Sequence, residues 1–272
     1  MKALRRSGFY VTCGALAVLF LLPMLWTAYS SVTGREAAAG GNDGVGVDNY
    51  RRLADYGIGV GTYLLNTTVV AVVAVSVTVV TTTLGGYAMA RLSFPGRNVL
   101  FLVTLSILMV PYTTILVPLY ILLGWIGLQN SLVGLGLVMA VLQLPFGLFM
   151  MRNSFEALPT ELEEAALIDG CTVSGALRRV LLRGVLPGIV TIALFSFLAA
   201  WNEFVAPLIF LTDGEKFTLP VALFNLSVGN LGSVDFGALQ AGVVTSAIPC
   251  VAVFLILQRY YVRGFTSGAL KG

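Results

Sequence analysis

The stretch YLLNTTVVAVVAVSVTVVTTTLGGYAMA, residues 63–90, contains no charged side chain and decides the fold class. A helix needs about 20 mostly apolar residues to cross a hydrocarbon core of about 30 Å. Residues 63–90 exceed that length, and a helix satisfies its own backbone hydrogen bonds, which lipid cannot do. The stretch therefore predicts a transmembrane helix.

Further apolar runs have the same character. The six predicted spans are Phe9 to Tyr29, Tyr63 to Ala90, Val99 to Leu123, Leu132 to Met151, Gly188 to Leu211, and Ala238 to Leu257. Of the 272 residues, 57% are hydrophobic and 11% are charged, whereas soluble domains carry about 25% charged residues. We therefore expect an all-α membrane protein with one transmembrane domain over residues 1–272. The first run exceeds the usual 7 to 15 residues of a signal-peptide core, so we expect it to remain as a span.

The positions of the basic residues predict the orientation, because cytoplasmic loops are enriched in Lys and Arg. With the N-terminus inside, twelve of the sixteen basic residues are cytoplasmic: Lys2, Arg5, Arg6, Arg91, Arg97, Arg152, Arg178, Arg179, Arg183, Arg259, Arg263 and Lys271. Four remain outside: Arg35, Arg51, Arg52 and Lys216. Six spans with both termini inside are therefore expected. Prolines within the runs, Pro111 among them, predict kinked helices.

The cytoplasmic loop at residues 152–187 has a helical pattern of its own. Thr160 to Glu163 fits a capping box, in which both side chains satisfy the first backbone N–H groups of a helix. That helix is expected to end at Asp169, since Gly170 favours the left-handed conformation of a helix C-terminus. A second helix is expected to begin near Thr172 or Ser174 and to continue through Arg183 into the fifth span.

Small residues in the first loop helix suit contact with a partner. Ala165 and Ala166 would let another surface come close, and Glu164 and Asp169 flank them. The pattern of this loop alone fits an interfacial amphipathic helix with solvated charges equally well.

The sequence Glu164-Ala165-Ala166-x-x-Asp169-Gly170 resembles the EAA loop of ABC importer permeases. In that family the loop is a coupling helix that sits in a groove of the ATPase subunit. The resemblance implies that the ATPase contacts come from Glu163, Glu164, Ala165, Ala166, Asp169 and Gly170. One departure is Arg183, where family members commonly have proline.

Other segments are similar to the carbohydrate-uptake branch, and in particular to its maltose-type smaller permease. They are residues 86–92, 94–97, 118–120, 127–131, 201–204, 218–220 and the C-terminal residues 262–272. The resemblance implies a permease subunit in a bacterial inner membrane that imports a sugar or sugar derivative. It also implies a second homologous permease, an ATPase dimer and an extracytoplasmic solute-binding protein as partners, with lipid around the spans and no nucleic acid.

The energy source is expected on another chain. The sequence has no Gly-x-x-x-x-Gly-Lys-Ser/Thr phosphate loop, and residues 213–216 only distantly resemble one. It has no histidine, and its three cysteines lack metal-ligand spacing. We therefore expect no enzyme activity and no cofactor on this chain, with ATP and Mg²⁺ bound by the partner ATPase.

Glu203 is the one acidic residue within a predicted span, and ionisable groups at that depth usually face a bundle interior or an aqueous path. With Trp201 and Asn202 it could line a sugar pathway, or it could contact the second permease. Tyr112, Thr113 and Gln143 are further pathway candidates, each of which could equally be a packing group.

Two other classes of protein fit the sequence less well. An ion-coupled secondary transporter would normally show an internal repeat and several intramembrane ionisable groups, whereas this sequence shows no repeat and one such group. A membrane-embedded enzyme would need a catalytic constellation, and none is evident.

Overall fold

The computed structural model describes residues 2–33, 46–229 and 234–269, with side chains described for 9–33, 46–229 and 234–258. The described residues form α1 Lys2–Val32, α2 Asp48–Ala54, α3 Val60–Arg91, α4 Arg97–Ser106, α5 Tyr112–Trp125, α6 Leu132–Glu156, α7 Glu161–Ile168, α8 Val173–Ala176, α9 Leu182–Gly184, α10 Leu186–Trp201, α11 Val205–Phe210, α12 Leu219–Ser227 and α13 Phe236–Ala269. Short turns of 3₁₀-helix lie at Ile107–Met109 and Gly214–Lys216, and a π-helical segment lies at Leu177–Leu181. The all-α prediction is confirmed for this part of the chain. Arg35 and residues 270–272, which include Lys271 and end the C-terminal segment 262–272, lie outside the described residues.

Within the described residues, four helices are long and apolar enough to cross a membrane. They are Phe9–Val32, Val60–Arg91, Leu132–Glu156 and Phe236–Gln258. They confirm the first, second, fourth and sixth predicted runs as continuous helices. Two further helix pairs pass the same test only when each bent pair is taken as one span.

The third predicted run is not one helix. Residues Arg97–Met109 and Tyr112–Trp125 are helical, and their axes differ by 108°. Val110 between them is extended, with φ −84° and ψ 129°, as expected for a residue that precedes a proline. Pro111 also lacks the N–H that would continue the helix, so the chain breaks there instead of only kinking.

The fifth predicted run is also interrupted. Helix α10 ends at Trp201, and α11 begins at Val205. At the other end, α10 lies at 75° to the helical stretch Val173–Gly184. The expectation that the second loop helix continues into the fifth span is therefore wrong. The cause is Pro187 in the first turn of α10, whose ring would clash with a carbonyl of the preceding turn and which has no N–H to donate to it.

Contacts divide the chain into two compact units, residues 1–62 with 221–249 and residues 63–220 with 250–272. The interpretation of residues 1–272 as one domain stays a prediction. The first unit has a small core of Leu53, Leu226, Ala238 and Ala241. Within that unit, the buried Asn49 amide donates to the carbonyl oxygens of Ser31 at 2.9 Å and Thr33 at 3.0 Å, so α2 is fixed to the end of α1.

The second unit is built around α3 and α6. Its main core contains Val70, Leu116, Leu135, Trp201 and Phe210, which come from five different helices. A Cβ on Gly136 would lie 2.7 Å from Val73 Cβ, and one on Gly147 would lie 2.6 Å from Thr82 Cγ2. Glycines therefore let α3 and α6 pack closely, as small residues do between membrane helices.

Candidate functional site

The polar loop after α6 folds into a projecting arm of helical segments, α7 to α9, residues 161–184. Helix α7 begins after Thr160, whose carbonyl oxygen accepts from the Glu163 N–H at 3.0 Å and the Glu164 N–H at 3.2 Å. The Thr160 side chain makes no capping hydrogen bond. The predicted capping box is therefore wrong, because the Glu163 carboxylate is bound to another helix instead.

Helix α7 ends at Ile168 with Asp169 as its C-cap, and Gly170 follows in the left-handed conformation that was predicted for it. Gly170 has φ +83°, and its N–H donates to the Leu167 carbonyl at 3.0 Å, while the Cys171 N–H donates to the Ala166 carbonyl at 3.0 Å. These two bonds form a Schellman motif, which satisfies carbonyl groups that the helix leaves free. The motif sets the direction in which the arm turns.

The second half of the arm begins at Val173, which agrees with the predicted start near Thr172 or Ser174. The Thr172 hydroxyl accepts from the Gly175 N–H at 3.2 Å, and helical structure continues from Val173 through a π-helical segment to Gly184. Arg183 lies inside this helical stretch, so the absence of the usual proline leaves it unbroken up to Val185. Three exposed basic side chains lie along it: Arg178, Arg179 and Arg183.

The two faces of α7 differ. Ala166 is buried against its own chain, whereas Glu164, Ala165 and Asp169 are exposed. Ile168, at the end of this short helix, is 86% exposed. Of the paired alanines, only Ala165 is therefore presented outward.

Glu163 faces inward and joins α7 to α3. Its Oε1 accepts a hydrogen bond from the Tyr87 hydroxyl at 2.6 Å, and its Oε2 lies 3.6 Å from Arg91 Nε. The Arg91 and Glu163 side chains are only 8% and 15% exposed. Sequence reasoning missed this role of Tyr87 and Arg91, although their spacing of four residues at the end of a span puts both on one helix face.

Arg91 also reaches the end of α6 and the linker that follows. Its Nη2 donates to the carbonyl oxygens of Phe155 at 3.0 Å and Leu158 at 2.7 Å. A guanidinium near the free carbonyls of a helix C-terminus is favoured by the helix dipole. The Tyr87 ring meets the Phe155 ring edge to face, with centroids 5.6 Å apart.

A cleft of about 600 Å³ lies in the second unit, a volume in the range of small-molecule sites. Three of the predicted pathway residues, Tyr112, Gln143 and Glu203, line it. The rest of the lining is mostly apolar: Thr104, Ile107, Leu108, Val110, Ile115, Met139, Val141, Leu142, Leu144, Pro145 and Ala199. The break before Pro111 and the break after Trp201 place Tyr112 and Glu203 at this cleft.

The other predicted pathway residues lie elsewhere. Trp201 is 3% exposed, belongs to the core and stacks on Phe197 with centroids 5.4 Å apart. Asn202 donates from Nδ2 to the Leu198 carbonyl at 2.8 Å, and Thr113 is exposed and does not line the cleft.

Glu203 has a structural task of its own. Its Oε1 accepts from the N–H groups of Val205 at 2.9 Å and Ala206 at 3.0 Å, and it lies 3.5 Å from the Tyr112 hydroxyl. The carboxylate therefore satisfies the first free N–H groups of α11, where the helix dipole also favours a negative charge.

Among the described residues, no group of three or more Cys, Asp or Glu side chains is placed to hold a metal ion. The distant phosphate-loop resemblance at residues 213–216 is a 3₁₀ turn in which Asp213 accepts from the Glu215 N–H.

The fold and these sites define a class: a multi-pass helical membrane protein with a polar arm and a cleft of about 600 Å³. Residues 82–267 match the family described as the binding-protein-dependent transport system inner membrane component. That match covers more than half of the chain, so the protein belongs to this family and is an inner-membrane component of a binding-protein-dependent transport system.

Several proteins are similar over nearly the whole chain. The trehalose transport system permease protein SugB of Mycobacterium tuberculosis is 32% identical, over 98% of this chain and 99% of that protein. The trehalose/maltose transport system permease protein MalG of Thermococcus litoralis is 31% identical, over 100% of this chain and 99% of that protein. A solved bacterial ABC transporter involved in the import of alginate shares the fold, with a TM-score of 0.81 at 23% identity over 96% of this chain and 98% of that one.

Proposed function

We propose that the chain is the permease subunit of an ATP-driven importer for a sugar or sugar derivative. The relatives named for trehalose, and for trehalose and maltose, support the sugar class. Membership of a binding-protein-dependent family supports this reading over an ion-coupled secondary transporter. The family description itself names a binding protein, which supports an extracytoplasmic solute-binding protein as a partner in this proposal.

The observation that carries the proposal is the outward face of α7. Glu164, Ala165, Ile168 and Asp169 are exposed on a helix whose opposite face is held by its own chain. Ile168 and its neighbour Leu167 are 86% and 41% exposed beside the small Ala165, and contiguous exposed apolar side chains favour contact with another protein. We assign this face to an ATPase subunit, because the sequence has no phosphate loop and its importer needs nucleotide-driven work from elsewhere.

Glu163, Ala166 and Gly170 have a different part in this proposal. Glu163 and Ala166 face the permease and Gly170 forms the turn, so they position the ATPase contact instead of forming it.

Six spans with both termini inside are part of the same proposal. By length and composition, the described part of the chain holds six spans if each bent pair is counted as one. Arg91 and Asn66 are 25 residues apart on α3, which is about 37 Å along a helix. The Arg91 end carries the arm with its exposed arginines, whereas Asn66 binds the carbonyl of Glu215 in a loop that also holds Asp213. This charge asymmetry supports placing the arm in the cytoplasm.

The cleft is the proposed part of the solute pathway within this chain. Among the described residues, none donates to or accepts from the Gln143 side-chain amide, so it is available to a sugar hydroxyl. Tyr112 and Glu203 add a hydroxyl and a carboxylate to the same lining.

The second permease subunit has a candidate surface in α1. The span Phe9–Val32 is apolar, and no residue of its most hydrophobic stretch is buried within this chain. Lipid or a second permease would cover it, and the proposal includes both.

Site-directed cross-linking tests the ATPase assignment. In the complete transporter, with the native cysteines replaced, Ile168→Cys is expected to cross-link to the ATPase subunit through a short bifunctional maleimide. The control is Trp125→Cys, which is 81% exposed but lies outside the arm. Absence of a cross-link at Ile168, or equal cross-linking at Trp125, would overturn the assignment. Uptake of labelled trehalose and maltose into vesicles tests the sugar class.

A further inference from the structure

We propose that Tyr87, Arg91 and Glu163 form a tether that transmits movement of α7 to α3 and α6. This inference rests on the proposed contact between α7 and an ATPase. It assigns Glu163 a role as a positioning residue, distinct from the outward-facing Glu164 beside it.

The first step is the rigidity of the helix pair to which α7 is attached. A Cβ on Gly86 would lie 2.5 Å from Met151 Cβ and 2.9 Å from the Arg152 backbone nitrogen, so α3 and α6 touch almost backbone to backbone. One turn further along α3, Arg91 binds the carbonyl groups at the end of α6. The two helices therefore move together at this end.

The second step is how α7 is attached to that pair. Its covalent connections are the linker at residues 157–160 and the glycine turn at Gly170, and neither is helical. The Glu163 carboxylate adds a contact through both of its oxygens, one to the Tyr87 hydroxyl and one toward Arg91. A hydrogen bond to a charged group in a buried setting is short and strong, and 2.6 Å fits that description.

The third step concerns the half of the tether that is not closed. Arg91 Nε is buried and makes no hydrogen bond, although Glu163 Oε2 is only 3.6 Å away. A buried donor without an acceptor is unfavourable, so a shift of α7 of less than 1 Å toward α3 would complete the pair. Movement of α7 toward α3 would therefore tighten the tether, and movement away from α3 would loosen it.

If Glu163 acts as a tether, nucleotide-driven changes in the accessibility of the cleft should depend on it. A cysteine at Thr104, which lines the cleft, reports that change through its rate of labelling by N-ethylmaleimide in the complete transporter without other cysteines. In the otherwise unchanged protein, the rate is expected to differ between the nucleotide-free state and the state trapped with ATP and vanadate. In Glu163→Ala, we expect most of this difference between the two rates to be lost, because α7 then lacks its charge-assisted hydrogen bond to α3.

Two further variants sharpen the test. Tyr87→Phe removes only the hydroxyl and keeps the ring on Phe155, so it is expected to fold and to shift labelling in the same direction. The double variant Tyr87→Phe/Glu163→Ala is expected to lose no more of the nucleotide-dependent difference in labelling rate than Glu163→Ala alone. The reason is that both changes remove the same contact between the hydroxyl and the carboxylate. The matched control is Glu156→Ala, which removes an acidic residue at the same end of the unit, paired with Arg152 at 2.8 Å and not attached to α7.

The outcomes separate the tether from the proposed function. A full nucleotide response in both Glu163→Ala and Tyr87→Phe, with Ile168→Cys still cross-linked to the ATPase, would overturn the tether alone. Loss of the Ile168→Cys cross-link in the otherwise unchanged protein would overturn the proposed docking and the tether with it. A reduced response in Glu156→Ala equal to that in Glu163→Ala would also overturn the tether.

Discussion

Gly86 of α3 lies so close to Met151 of α6 that a Cβ added at position 86 would be 2.5 Å from Met151 Cβ. Neighbouring atoms of the Met151 and Arg152 backbone lie within 2.9 Å of the same point. Backbone cannot move aside as the end of a side chain can, so this contact fixes the spacing of the two helices that carry the arm.

Gly86→Ala is expected to destabilise the subunit by about 1–3 kcal/mol, the usual cost of overpacking a closed interface. Gly85→Ala is the matched control, because its new Cβ would meet only the flexible end of Leu148, at 2.9 Å. Thermal unfolding in detergent measures both variants. Equal midpoints for the two would show that the backbone contact at Gly86 is not restrictive.

The apolar runs and the glycine turn could be predicted because they depend on local chemistry. Length without charge is enough to indicate a span, and Gly170 is the kind of residue that a left-handed helix end favours. The exact ends of the third and fifth runs could not be predicted in the same way. Pro111 marks a break, but the 108° angle depends on the helices that pack on either side.

Side-chain partners were harder to predict than helices. Thr160 and Glu163 have the spacing of a capping box. The Tyr87 hydroxyl and Arg91 compete for the Glu163 carboxylate, and they lie 76 and 72 positions before Glu163 in the sequence. Ala165 and Ala166 are also indistinguishable by composition. They point about 100° apart on a helix, and only tertiary packing decides which is buried.

Gln143→Ala is expected to raise the KM for uptake several-fold with little change in stability, since its amide lines the cleft without a partner among the described residues. Glu203→Ala should differ from it, because the carboxylate also satisfies two N–H groups of α11. We expect that variant to lose about 0.5–2 kcal/mol of stability as well as transport. Vesicle uptake and thermal unfolding of both variants separate the two roles. A Glu203→Ala protein of unchanged stability would contradict the capping role.

Asn49→Ala is expected to destabilise the first unit by about 1–3 kcal/mol, because it leaves carbonyl groups near the end of α1 without their donor. Asn49 is 2% exposed, so water does not replace the lost bonds. Asp48→Ala provides the control: its ion pair with Arg51 is exposed, and such pairs contribute little. Limited proteolysis and thermal unfolding measure the difference. Equal sensitivity of the two variants would contradict the structural role of Asn49.

Gly170→Val tests the turn of the arm without a steric clash, since no atom lies within 4 Å of a Cβ added there. Its φ of +83° is unfavourable for residues with a side chain, most of all β-branched ones, by about 1–2 kcal/mol. We expect Gly170→Val to assemble but to hydrolyse ATP with reduced uptake, because the turn that orients α7 is strained or lost. Gly170→Asn should retain more uptake, since asparagine tolerates the left-handed region better. ATP hydrolysis and uptake measured on the same vesicles give the amount of solute imported per ATP, which is the quantity to compare among these variants. If Gly170→Val imports as much solute per ATP as the unchanged protein, then the geometry of this turn does not matter for coupling.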